Sequence, residues 1–175
     1  LSYSEVLNIT VEGIIHQNME CKTNDELGSF WRMVQFLNSE GEIYEDADFR
    51  IRTVSRFHSS IINETEWAEP HKILYLQKTR IFMLYKLNAH RNGETSLPEE
   101  SLRYYLENSK EYLGEQRMTY HVVKKGNQVL DFDHRDAKGQ PTKMSVQQRS
   151  YCFDYEKLVE AFDINLEMTR EENNS

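Results

Sequence analysis

Residues 79–86 read Thr-Arg-Ile-Phe-Met-Leu-Tyr-Lys, residues 92–94 Asn-Gly-Glu, and residues 96–106 Ser-Leu-Pro-Glu-Glu-Ser-Leu-Arg-Tyr-Tyr-Leu. Ile81, Leu84 and Tyr85 share one face at helical spacing, so the first stretch predicts a helix that Thr79 can cap and Asn92-Gly93 can end. A second helix is expected to follow: Ser96 accepts from the first-turn amides, Pro98 needs no donor there, and Glu99 completes a capping box. Leu102, Tyr105 and Leu106 form its buried stripe, which leaves Arg103 and Tyr104 on other faces. From Arg117 the apolar period switches to two. Met118, Tyr120 and Val122 alternate with Thr119 and His121, the stretch Lys124-Lys125-Gly126-Asn127 supplies a turn, and Val129, Leu130 and Phe132 return.

Two helices joined by a tight turn and followed by a lysine-tipped hairpin is the element order of a winged helix, in which the second helix is presented to DNA and the wing follows the backbone. The expected fold class is therefore α+β and helix-rich, with a winged-helix-like C-terminal half made of a helix-turn-helix and a β-hairpin wing. Working outward, Val6, Ile9, Ile14 and Ile15 give an imperfect helical stripe. Thr23 with Glu26 then opens a clearer helix carrying Leu27, Phe30, Trp31, Val34, Phe36 and Leu37, stopped at Asn38-Ser39-Glu40-Gly41. Phe30, Trp31 and Phe36 are expected in the core. Ile43, Phe49, Ile51 and Val54 predict short strands, and 73–76 a buried one. Ser150-Tyr151-Cys152-Phe153 predicts a further strand, after which Asp154 caps a last helix with Leu158, Val159 and Phe162 inward. The expected organisation is a helical linker or N-terminal subdomain with short strands over 1–57, a loop over 58–70, a winged-helix-like domain over 71–168 and a frayed tail over 169–175.

The charge is segregated. Residues 1–49 carry −8 and residues 150–175 carry −5, whereas 71–93 hold five bases and no acid, and 115–149 add +3. Such a field faces a polyanion or an acidic partner, or is simply solvated. Apolar residues make up only 38% of the chain, but ten Tyr, eight Phe and two Trp supply the bulky anchors that disordered chains lack, so a folded, surface-rich protein is expected. Cys21 and Cys152 lie far apart without a Cys-x-x-Cys partner, which speaks against a disulfide framework or zinc and for a reducing cytoplasm. No apolar run approaches the ~20 residues of a membrane span. Because the chain starts at Leu1 and runs straight into a helical pattern, it is expected to be a piece of a longer polypeptide.

Catalytic signals are sparse. Asp131, Asp133 and His134 could hold a divalent ion for hydrolysis, or form nothing more than a solvated hairpin end. Phosphate-cradling glycine motifs are absent and the six histidines show no zinc spacing, so no cofactor, no bound metal and no catalytic residue is expected in this segment. The residues suited to nucleic acid are Lys78, Arg80, Lys86 and Arg91 beside the presenting helix, Arg103 and Tyr104 on it, and Arg117, Lys124 and Lys125 on the wing. Glu99, Glu100 and Glu107 oppose them, since carboxylates repel phosphates.

The stretches 79–86, 92–94 and 97–106, with a helix opening in a Leu-Tyr pair, a glycine turn and a second helix ending in leucine, resemble the segment after the ATPase core in the primase-helicases of phages and mobile elements, the superfamily-three-like and virulence-associated-E-like replication proteins. Residues 24–41 are similar to the helical linker of that family. The resemblance implies a non-catalytic accessory module of a DNA replication protein whose parent is a helicase or primase. Its partners would be DNA, single- or double-stranded, and the rest of the parent polypeptide, with oligomerisation through the motor. On the family-like pattern Arg80, Lys86 and Arg103 take the contact positions. A protein-interaction or oligomerisation module without DNA binding is the alternative.

Overall fold

The computed structural model describes residues 25–59 and 64–166; the stripe around Val6 to Ile15, the Thr23 cap and the 169–175 tail lie outside them. Helix α1 spans 25–39. It is followed by β1 (Phe49–His58), β2 (Glu64–Gln77), α2 (Lys78–Arg91), α3 (Glu99–Glu107), β3 (Tyr112–His121), β4 (Val123–Lys124), β5 (Asn127–Gln128), β6 (Leu130–Arg135), β7 (Pro141–Lys143), β8 (Ser145–Asp154) and α4 (Tyr155–Phe162). Strand residues outweigh helical ones, which corrects the helix-rich, winged-helix-like expectation. The framework is one antiparallel sheet in the order β1-β2-β8-β3.

The correction has a definite cause. Strand β3, expected to be the first arm of a wing, pairs instead with β8 over its whole length, from Tyr112↔Phe153 to His121↔Ser145. Val129, Leu130 and Phe132, expected as the second arm, belong to an insertion between the two. That insertion contains the small hairpins β4–β5 and β6–β7 and is tied at its root by Val122 N–H donating to Met144 C=O and Val129 N–H to Val122 C=O. The expected 58–70 loop is a strand from residue 64, since Arg56↔Glu66 and His58↔Glu64 extend the β1–β2 ladder past a bulge at Val54/Arg56. The expected boundary between 57 and 71 therefore cuts through a hairpin.

Alternation splits the apolar residues between two cores. Leu74, Leu76, Tyr151 and Phe153 face the helices and meet Leu27, Phe30, Trp31, Val34 and Leu37 of α1, with Ile81, Leu102, Leu106 and Leu158 from the others. Ile73, Tyr75, Met118, Tyr120 and Cys152 face the opposite way into the hollow of the curled sheet, with Phe57. The curl is deep enough that its two edge strands nearly meet. His121 N–H donates to Asp46 C=O at 2.7 Å, Arg50 Nη1 to Thr119 C=O at 3.2 Å, and the Gln116 side chain to His58 C=O. Gly114, at φ +135°, lies at the seam. A Cβ built there would stand 2.6 Å from Ser59 Cβ.

Capping follows the chain less closely than its motifs. Helix α2 starts at Lys78 with Gln77 as N-cap, and α3 at Glu99 with Pro98 as N-cap, so neither Thr79 nor Ser96 caps. Asp154 does cap α4, accepting from Lys157 N–H. Phe36 and Val159 are exposed rather than inward.

Burial pushes the phenols of Tyr75, Tyr112, Tyr120 and Tyr151 up, Tyr75 from 10 to about 12, and a hydrogen bond and repulsion from the Glu107 carboxylate add to the effect at Tyr151. In the unfolded chain these phenols ionise at their ordinary value, whereas the folded chain holds its protons to higher pH. The stabilisation is thus complete below pH 10 and is lost as pH rises from 10 towards 12 and beyond. A pH titration should show helix and sheet dichroism collapsing together with the rise of tyrosinate absorbance. Tyrosinate absorbance reaching its full value, these four rings included, near pH 10 in a chain that keeps its dichroism would contradict this.

Candidate nucleic-acid interface

Helix α2 follows β2 without a loop. Ile81, Phe82, Leu84 and Ala89 are its buried stripe, and its outer stripe is Thr79, Met83, Lys86, Leu87, His90 and Arg91. Gly93, at φ +66°, ends the helix by donating to His90 C=O, and Leu97 N–H donates to Tyr85 Oη at 3.0 Å, which fixes α3 beside α2. The result is an exposed helix with a groove along each flank.

The groove between α2, α3 and β8 has a volume of about 460 Å³ and is lined by Lys78, Phe82, Met83, Lys86, Arg103 and Arg149, among others. Glu99 accepts from both Lys86 Nζ (3.3 Å) and Arg103 Nη2 (3.2 Å). Glu115 is shared by Lys78 Nζ (2.8 Å) and Arg149 Nη1 (3.6 Å). Arg103 stands over the Phe82 ring and Lys78 over Tyr151, at 5.8 and 4.6 Å from the ring centres. Arg117 is directly opposite Arg149 in the β3–β8 register. Two cations facing each other across a ladder repel, which a bound anion would relieve. Four cations thus converge on two carboxylates, with Arg117 adjoining them through its place opposite Arg149.

The groove on the other flank, about 530 Å³, is lined by Arg80, Arg91, Lys125, Glu42, Asp48 and His121, among others. Here Arg80 Nε donates to Asp48 at 3.1 Å, and Arg91 Nη1 reaches both oxygens of Glu42 at 2.9 and 3.2 Å. Lys125 and Gly126, at φ 52° and 76°, form the two-residue turn of the β4–β5 hairpin and both line this groove, whereas Lys124 does not.

Of the residues singled out from the sequence, Lys78, Lys86 and Arg103 thus line the groove on one flank of α2, with Arg117 opposite Arg149 beside it, Arg80, Arg91 and Lys125 line the groove on the other flank, and Lys124 lines neither. Tyr104 is 63% exposed but belongs to a neighbouring stripe of α3 with Glu100, outside both grooves. Arg149 was missed because it reads as a polar residue before an apolar strand, and only the register places it beside Arg117.

Asp131 accepts from Asp133 N–H and pairs with His134 Nδ1 at 2.8 Å, an exposed, self-contained arrangement at the register irregularity within β6; the His134 hydrogen bond holds the Asp131 carboxyl below its ordinary range. His71, Asp154 and Glu156 bring donor atoms within 4.8 Å of one another. However, His71 Nε2 faces Asp154 (2.6 Å) and Nδ1 faces Glu156, so opposite edges of one ring are used and the three do not converge on one point. With Trp67 stacked on the ring at 4.6 Å, this is a clamp tying β2 to the capped start of α4. Burial pushes the Cys152 thiol up, which keeps it protonated and inert as a nucleophile. No helix among the described residues is long and apolar enough to cross a membrane. Compared with family models, curated proteins and solved structures, the chain matches none.

Proposed function

We propose that this chain is a non-catalytic module that grips the phosphate backbone of nucleic acid along α2, as part of a larger replication protein of the primase-helicase kind. The observation that carries the proposal is the flank where Lys78, Lys86, Arg103 and Arg149 share two carboxylates and Arg117 stands opposite Arg149 on the neighbouring strand, because cations left in excess over acids along one groove attract a chain of phosphates. The resemblance of 79–106 to the primase-helicases supports the choice of parent, since those residues are α2, its glycine turn and α3.

Affinity for a labelled oligonucleotide should fall steeply with salt. The double substitution Lys86→Ala/Arg103→Ala should lower the slope of log affinity against log salt by about two, one for each phosphate contact removed. Stability should change by less than about 1 kcal/mol, because both side chains are exposed and share one acid. No binding at low salt, or binding indifferent to salt, would sink the proposal. The exposed Tyr104 on the acidic stripe of α3 would then favour docking of a basic protein partner.

A further inference from the structure

We infer that the nucleic acid is duplex DNA and that α2, rather than α3, is the helix that enters its major groove. This rests on the nucleic-acid proposal above and adds the form of the ligand and the way it docks. Cations line both flanks of α2, in grooves separated by the helix itself. Lys86, Arg103 and Arg149 lie on one side, Arg80, Arg91 and Lys125 on the other. A single strand has one backbone and could satisfy only one flank. A duplex has two, and they border its grooves.

The dimensions agree. A helix with its side chains is about 10–12 Å across and the major groove of B-DNA about 12 Å wide, so a helix seated there has a phosphate wall against each flank. Fourteen residues make α2 about 21 Å long, enough to follow the groove for several base pairs. Its crest suits base edges. Met83 and Leu87, 45% and 42% exposed, offer apolar contact to thymine methyl groups, and His90 adds a polar head. No acid occurs anywhere from residue 71 to 93, so nothing on the inserted helix repels phosphate. Helix α3 fails the same test, since Glu99, Glu100 and Glu107 stand along its nine residues. Duplex RNA is excluded as the preferred ligand because its deep, narrow major groove does not admit a helix.

The experiment compares, by fluorescence anisotropy at low salt, a labelled DNA duplex, one of its single strands and an RNA duplex of the same sequence. It uses the unaltered chain and the crest substitutions Met83→Glu and Leu87→Glu, with dichroism and melting confirming that each variant is folded. The DNA duplex should bind about tenfold tighter than either competitor. Either crest substitution should weaken the duplex at least about tenfold more than the single strand, because the added carboxylate, bordering a cation groove, repels phosphate in both ligands but is buried against base edges only by a seated duplex. Single strand equal to or tighter than duplex, or folded crest variants that bind duplex normally, overturns this inference and leaves the phosphate-gripping proposal standing. Binding to none of the three removes that proposal as well.

Discussion

Gly114→Ala should destabilise the protein by about 3 kcal/mol or more, a large share of the ~5–15 kcal/mol that holds a domain together. Two penalties coincide there. The backbone at φ +135° is one that a side chain strains, and the new methyl carbon would meet Ser59 Cβ at 2.6 Å, where neither backbone can yield without opening the seam between β1 and β3. Gly93→Ala is the control, because φ is also positive (+66°) but nothing lies within 4 Å of the added carbon, and it should cost only about 1 kcal/mol. Denaturant titrations of the two variants compare a glycine that combines a more extreme φ with a close neighbour against one that needs only the left-handed region. Equal losses would mean that the close approach at the seam is not what the glycine serves.

Trp31→Ala should cost about 3–5 kcal/mol. The indole is 1% exposed and meets Phe30 and Phe153 edge-on, at 5.0 and 4.9 Å between ring centres, so it joins α1 to the central strand β8. Phe36→Ala, five residues along the same helix, should change stability by less than about 0.5 kcal/mol because that ring is 52% exposed. The contrast is sharp, since helical spacing alone places both rings in the core. A Trp31→Ala chain unfolding at the same denaturant concentration as the unaltered protein would show that α1 is not anchored through this ring.

What could be read from the sequence was local. The stop of α1 near Gly41, the Asn92-Gly93 end of α2, the outward Arg103 and Tyr104 and the Asp154 cap all depend on residues within a turn or two of one another, and all were legible. The wing was not. Alternation in Met118, Tyr120 and Val122 identifies a strand but not its partner, and a nearer candidate after the Lys124-Lys125-Gly126-Asn127 turn displaced β8, where Tyr120 in fact meets Val146. Residues 64–70 carried no apolar period because that half of β2 is largely exposed. For the site, charge counting located the basic stretches correctly but not their compensation. Arg80 pairs with Asp48 and Arg91 with Glu42, across 32 and 49 residues, and the facing of Arg117 by Arg149 exists only through register.

The strand order also governs how the protein can be made. β8 lies between β2 and β3 and completes both ladders, yet among the described residues every other strand and every helix but α4 precedes it in the chain. During translation, β1 and β2 can zip into a hairpin as soon as they leave the ribosome, but β3 has nothing to pair with, and Leu74, Leu76 and Trp31 lack their cover of Tyr151 and Phe153. A nascent chain stalled before residue 145 therefore holds two open strand edges and an uncovered apolar face, the features that recruit chaperones and seed aggregates. Emergence of residues 145–154 closes both ladders at once.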